Sequence, residues 1–183
     1  NRGTIKTDNQ LKLISDNFEY LKKINRLEAN GNVQLFDLNN NITINAQQIF
    51  YLKNEEKIFT VGKTLIKISN KYDIEGFDLT LFKDKMIISS KKSAIITDSE
   101  SNTYKLEQFQ YSINQEILKG KNITAITNDK KNKSDEFFFN TGFFDLKKNK
   151  FLGKDIVAKF HKNLFGNSEN DPRISAVSGY GDK

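Results

Sequence analysis

The sequence predicts an all-β solenoid of about five stacked two-strand repeats, with no significant helix. Three observations carry that reading. The apolar residues are of the strand-favouring kind: 15 Phe, 6 Tyr and many Ile stand beside few Ala and one Met. A hydrophobic frame recurs about every 30 residues along the chain. Within each copy the frame changes parity once, which a flat strand cannot do without turning side chains to the wrong face.

The composition sets the bounds. A chain of 183 residues can bury one sizeable core, and nothing demands two. The one proline, Pro172, leaves almost everything upstream free to pair in a sheet. With no Cys, disulfides, thiolate chemistry and Cys-ligated metals are excluded together. The formal charge of +6 points mildly toward anionic partners, against the plainer reading of a solvated Lys/Asn-rich surface. No apolar run is long enough for a transmembrane helix. The chain opens inside its own repeat pattern, at Gly3 before Ile5, and reads as a fragment with both flanks missing.

Each repeat can be aligned on a small residue. The segment Ile44, Ala46, Ile49 and Tyr51 defines positions −2, 0, +3 and +5. The same frame recurs at Leu13, Ser15, Phe18, Tyr20; at Ile74, Gly76, Leu79, Leu81; at Tyr104, Leu106, Phe109, Tyr111; and at Phe139, Thr141, Phe144, Leu146. The zero positions 15, 46, 76, 106 and 141 are spaced 31, 30, 30 and 35 residues apart. The long interval holds the polar stretch 128–134, which reads as a surface-loop insertion. Positions −2 and 0 share one face of a strand, and so do +3 and +5. The step of three between the pairs predicts a bend or bulge at the two intervening residues in every unit.

A return strand follows in each unit, marked by a glycine and then a β-branched or apolar stretch. Gly31 precedes Val33 and Leu35, Gly62 precedes Leu65, Ile66 and Ile68, Gly120 precedes Ile123, Ala125 and Ile126, and Gly153 precedes Ile156 and Val157, with less regular parity than the first strands. The third unit has Ser89-Ser90-Lys91 instead. Polar turns join the strands at 53–56, 83–85, 114–116 and 147–149. An ordinary sandwich with evenly spaced strands is the competing architecture. The recurring crease favours stacked units that contact mainly their neighbours.

Two stretches carry a resemblance to a known family. Leu27-Glu28-Ala29-Asn30-Gly31-Asn32-Val33-Gln34-Leu35 and Ile44-Asn45-Ala46-Gln47-Gln48-Ile49-Phe50-Tyr51 resemble the repeat of the OstA-like domain, which occurs in the lipopolysaccharide transport families LptA, LptC and the N-terminal part of LptD. The resemblance covers residues 1–160. The tail from Phe165 to Ile174 resembles the stretch that leads out of that domain toward the outer-membrane barrel of LptD, so 161–183 is expected to be an extended segment before a barrel that this chain does not contain. The third unit departs from the pattern by lacking its glycine.

The resemblance implies an open, folded-over sheet, a β-jellyroll or β-taco, whose apolar lining holds lipopolysaccharide acyl chains. It implies a periplasmic location at the outer membrane. The implied partners are an LptA-like protein joined by edge-strand pairing near residues 3–20 and an LptE-like lipoprotein met through the barrel. The candidate groove residues are Phe18, Tyr20, Ile44, Ala46, Ile49, Tyr51, Ile74, Leu79, Leu81, Leu106, Phe109, Tyr111, Phe139, Phe144 and Leu146. A fully enclosed chain of about a dozen carbons would gain roughly 10 kcal/mol. A groove open on one side can therefore bind and still release. Small residues at the zero positions either leave room for a lipid tail or simply serve the bend.

No catalytic set emerges, and an enzyme is not expected. His161 is the only histidine and reads as a surface or loosely packed side chain, not a base or ligand. Without a second His or any Cys, no transition-metal site is supported and no cofactor is called for. No phosphate loop, nucleophile elbow or dinucleotide fingerprint occurs. A carbohydrate-processing β-helix enzyme would show shorter units and a clustered acid–base face. A nucleic-acid binder would interleave exposed aromatics with basic residues, whereas most aromatics here keep the inward frame, so no nucleic-acid partner is expected.

Overall fold

The computed structural model describes residues 2–7, 10–127, 134–166, 169 and 171–182. The sequence-predicted insertion therefore lies outside the described residues from 128 to 133, as do positions 167, 168 and 170 of the tail. The strands are β1 Gly3–Lys6, β2 Leu11–Ser15, β3 Asn17–Leu21, β4 Arg26–Asp37, β5 Ile42–Leu52, β6 Lys57–Ile68, β7 Tyr72–Phe77, β8 Thr80–Phe82, β9 Ile87–Ser90, β10 Ala94–Asp98, β11 Thr103–Ser112, β12 Ile117–Ile126, β13 Glu136–Asp145, β14 Lys150–Lys159 and β15 Arg173–Asp182. All belong to one antiparallel sheet with β1 at one end and β15 at the other. The only helical pieces among the described residues are three single 3-10 turns.

The sheet is creased along its length into two facing leaves. In one leaf a row of inward residues runs from strand to strand: Ile5, Leu13, Leu35, Ile44, Ile66, Ile74, Ile96, Tyr104, Ala125, Phe137, Ala158 and Ile174. In the other leaf the matching row is Tyr20, Leu27, Tyr51, Ile58, Leu81, Ile88, Tyr111, Leu118, Phe144, Phe151 and Gly181. These rows meet between the leaves and form the core, in which most members are fully buried. Burying one such side chain is worth about 1.5–3 kcal/mol, so the rows dominate the stability.

The crease falls where the parity change predicts it in the first four frames. The chain breaks between β2 and β3 at Asp16 and between β7 and β8 at Asp78. Pairing register slips between Ala46 and Gln48, and twice between Lys105 and Gln110. Left-handed backbone marks the fold line: Gly31 and Gly62 have φ of 83° and 80°, and Asp78, Gln108, Asn122 and Asp155 have φ of 47–52°. Short side chains tie the line together. The Gly62 N–H donates to Asp78 Oδ1 at 2.7 Å, and Ser15 Oγ donates to the Asn30 carbonyl at 2.7 Å.

The fifth frame needs correction. Gly142, not Thr141, points inward, because a side chain there would run into Phe144 and Ile123. The zero position of that unit is Phe139, and the interval before it is 33 residues. The turns confirm the shift. Asn25, Glu56, Met86, Glu116 and Asn149 each take left-handed φ, ten residues after zero positions 15, 46, 76, 106 and 139. The carbonyls of the first four accept from the next turn, at Lys53, Lys83, Ile113 and Leu146, with N···O of 2.8–3.1 Å. This ladder of turns runs along the mouth opposite the crease. The frame was misplaced because Phe137-Phe138-Phe139 offers apolar residues on both faces.

The glycine markers also divide. Gly31 and Gly62 are crease residues, whereas Gly120 and Gly153 lie two residues before the crease, at Asn122 and Asp155. There they accept the side chains of Leu106 and Phe139 from the facing leaf. Beyond 160 the chain makes one 3-10 turn, Lys162–Phe165, and returns as β15, which pairs with β14 from Arg173 to Asp182. The sheet thus continues through the segment expected to lead out of it.

Candidate functional site

The two leaves pack on each other over most of their length, and a cleft opens between them at the last units. Of the candidate groove residues, Ile44, Ile49, Tyr51, Ile74, Leu79, Leu81, Leu106, Phe109, Tyr111, Phe139 and Phe144 are buried between the leaves. Phe18, Ala46 and Leu146 are half-buried against the same core. Tyr20 stands apart at 54% exposed, its hydroxyl donating to Asn25 Oδ1 at 2.6 Å. It sits on β3, which pairs with β4 alone and so has no neighbour beyond it to cover the ring. At the zero position Gly76 there is no empty space, since Leu79 and Ala94 already close on it.

An apolar cleft of about 410 Å³ opens between the leaves at the mouth of the last units. Tyr104, Ala125 and Phe137 form one wall, and Phe144 and Phe151 the other, with Phe139 at the back. The volume falls in the range of ordinary ligand pockets, about 300–1,000 Å³. Aromatic packing sets its shape. Phe139 meets Phe144 edge-on at 5.1 Å and Phe151 at 5.4 Å, and Tyr104 meets Phe144 across the leaves at 5.6 Å. Because Gly153 and Gly181 carry no side chains, Phe139 can close on the facing leaf at Gly153, and Phe151 can lean over its strand neighbour Gly181. The sequence frame found Phe139 and Phe144. It missed Phe137 because the fifth frame was placed two residues late, and Phe151 because the return strands carry no equally regular spacing.

The rim of the cleft is polar. His161 Nδ1 lies 2.8 Å from Asp135 Oδ1, and the His161 backbone N–H donates to the same oxygen at 2.9 Å. Phe160, beside it, stacks edge-on against Phe137 at 6.0 Å. His161 is half-buried and fastens the segment after β14 to the rim. Burial holds the Tyr104 phenol well above its ordinary pKa, so it stays neutral in the wall.

The mouth is latched further back. Tyr72, at the start of β7, donates its hydroxyl to Glu116 Oε2 at 2.8 Å, and Lys71 Nζ donates to Glu116 Oε1 at 2.8 Å. Glu116 belongs to a turn of the other leaf, so the clip spans the opening. The Lys71 hydrogen bond, joined by that from Tyr72, holds the Glu116 carboxyl below 4.5 against the opposing effect of desolvation. A lowered carboxylate pKa stabilises the fold above the unfolded value and loses that contribution as pH falls through the folded one. The latch should therefore stay shut at neutral pH and release only in acid, as the pH falls through the lowered Glu116 pKa. Amide exchange at Tyr72 and Tyr111, followed against pH, should show protection lost only in that acid range, and Glu116→Gln should remove the step.

Among the described residues, no group of three or more His, Asp or Glu side chains stands close enough to hold a metal ion. No helix is long and apolar enough to cross a membrane. No protein-family model matches the sequence, and no curated protein sequence matches it. The structure is similar to the crystal structure of LptH, the LptA homologous periplasmic component of the conserved lipopolysaccharide transport device from Pseudomonas aeruginosa. The TM-score is 0.57 at 16% identity, and the alignment covers 62% of this chain and 83% of that one. At that identity the likeness is one of fold.

Proposed function

We propose that this domain carries lipopolysaccharide by taking acyl chains into the cleft between its leaves, as a periplasmic element of a lipopolysaccharide transport route. The observation that carries the reading is the cleft: an apolar slot with aromatic walls, open to one side and continuous with a sealed apolar core. The fold shared with LptH supports it, as do the repeat residues that resemble the OstA-like domain. A cleft of about 410 Å³ suits part of one lipid. Partial burial at about 0.8 kcal/mol per methylene allows both capture and release. Passage along the core toward the cleft requires the leaves to part at the Glu116 latch, so the buried rows from Ile44 to Tyr111 would serve as earlier steps. The activity is binding and transfer, not catalysis.

The finer assignment follows the tail and the edges. We place the domain with the N-terminal part of LptD, receiving lipid from an LptA-like bridge and handing it toward an outer-membrane barrel with its LptE-like lipoprotein; an LptA- or LptC-like bridge is the alternative. The free edges of β1 and β3 suit strand addition by the bridge protein. Phe18→Pro should abolish that docking while the last units stay folded.

Photo-crosslinking tests the cargo. A photoreactive residue at Phe137 should capture lipopolysaccharide strongly, one at Phe109 or Ile49 more weakly, and one at outward Lys63 not at all. Equal capture at Lys63 would remove the cleft from the account.

A further inference from the structure

The outer face of the second leaf, whose inner face forms one wall of the cleft, carries a different pattern. Near its C-terminal end a shallow depression of about 670 Å³ is lined by Lys91, Lys119, Lys121 and Lys154 and by no carboxylate. All four lysines are exposed, and among the described residues none of them forms an ion pair. The nearest acids along the crease are already engaged: Glu107 accepts from Asn122 at 3.0 Å and Asp155 from Asn140 at 3.0 Å. The outward lysines of the first leaf differ, since Lys63 and Lys67 pair with Glu75 and Asp73.

Apolar side chains stand on the same face. The outward row runs Lys119, Phe143, Leu152, Tyr180 across neighbouring strands. Leu152 is 58% exposed and Tyr180 86%, and Val177 at the adjoining crease is 82% exposed. Lys119 Nζ lies over the Phe143 ring at 5.5 Å. Unpaired cations around protruding aliphatic and tyrosyl groups are the surface chemistry of a membrane interface. Lysines meet anionic headgroups there, while tyrosine and leucine enter the headgroup–acyl boundary. A nucleic acid would match the charge, but Leu152 and Val177 offer bases no stacking surface.

We infer that this face docks the domain on an anionic phospholipid surface, leaving the cleft mouth free on another side of the molecule. The inference does not depend on what the cleft holds. It is tested by co-sedimentation of the whole chain with vesicles of three parts phosphatidylcholine to one part phosphatidylglycerol, beside vesicles of phosphatidylcholine alone. Binding should be confined to the anionic vesicles and should weaken with salt. Each lysine removed should lower it about fivefold, so that Lys119→Gln with Lys154→Gln costs about 30-fold. Leu152→Ser with Tyr180→Ser should weaken it without changing the salt dependence. Lys67→Gln should leave it unchanged, and the thermal midpoint of each variant verifies folding. Absent or headgroup-independent binding, insensitivity to the lysine pair, or displacement by a single-stranded oligonucleotide of equal charge would each overturn it.

Discussion

Ile74→Ala should cost about 2–5 kcal/mol of unfolding free energy, and Ile95→Ala under 1 kcal/mol. The two isoleucines lie on adjacent paired strands, β7 and β10, yet Ile74 is wholly buried and Ile95 is 40% exposed. Ile74 stands in the inward row between Ile66 and Ile96, with ladder pairing on both sides. A cavity there cannot collapse, because neither neighbouring strand can move without breaking its own pairs. Denaturant unfolding of the two variants measures the difference directly. A larger cost at Ile95 than at Ile74 would mean that the inward and outward faces of the first leaf have been interchanged.

Phe139→Ala should be of the same order, about 3–5 kcal/mol. Its ring touches Phe144 and Phe151 and fills the space over Gly153. Unlike Ile74, it borders the cleft, so its removal enlarges a space already open to ligand. A saturating medium-chain fatty acid should therefore restore part of the lost stability, since a ligand bound only to the folded state stabilises it by mass action. The same fatty acid should do nothing for Ile74→Ala, whose cavity is sealed. Recovery in both variants, or in neither, would show that the cleft is not where the apolar ligand binds.

Much of this architecture was legible because side-chain parity is a strict rule. Four of the five creases could be placed from the spacing of apolar residues alone, and eleven of the groove candidates lie fully between the leaves. The fifth crease was misplaced for a local reason: three consecutive phenylalanines at 137–139 hide which face is inward. What spacing could not show is the state of the space between the leaves. Whether facing rows touch or stand apart depends on side-chain volumes across the fold. There Leu106 closes on Gly120, Ile123 on Gly142 and Phe139 on Gly153, while Phe137 and Phe151, their ring centroids 6.4 Å apart, flank the cleft at its mouth. The Glu116 latch and the Asp135–His161 clasp were hidden for a related reason. Each joins residues far apart in sequence, 44 or 26 positions, through side chains that carry no periodic signal.

A single tryptophan provides the most direct test, because the chain has none of its own. With Phe151→Trp the reporter sits in the cleft wall; with Phe77→Trp it sits on the outer face, where Phe77 is 45% exposed. Lipopolysaccharide bearing brominated acyl chains should quench the first strongly and leave the second as bright as with unbrominated lipid. Quenching at position 77 equal to that at 151, or none at 151 under conditions where the lipid co-purifies with the protein, would contradict the claim that acyl chains lie between the leaves.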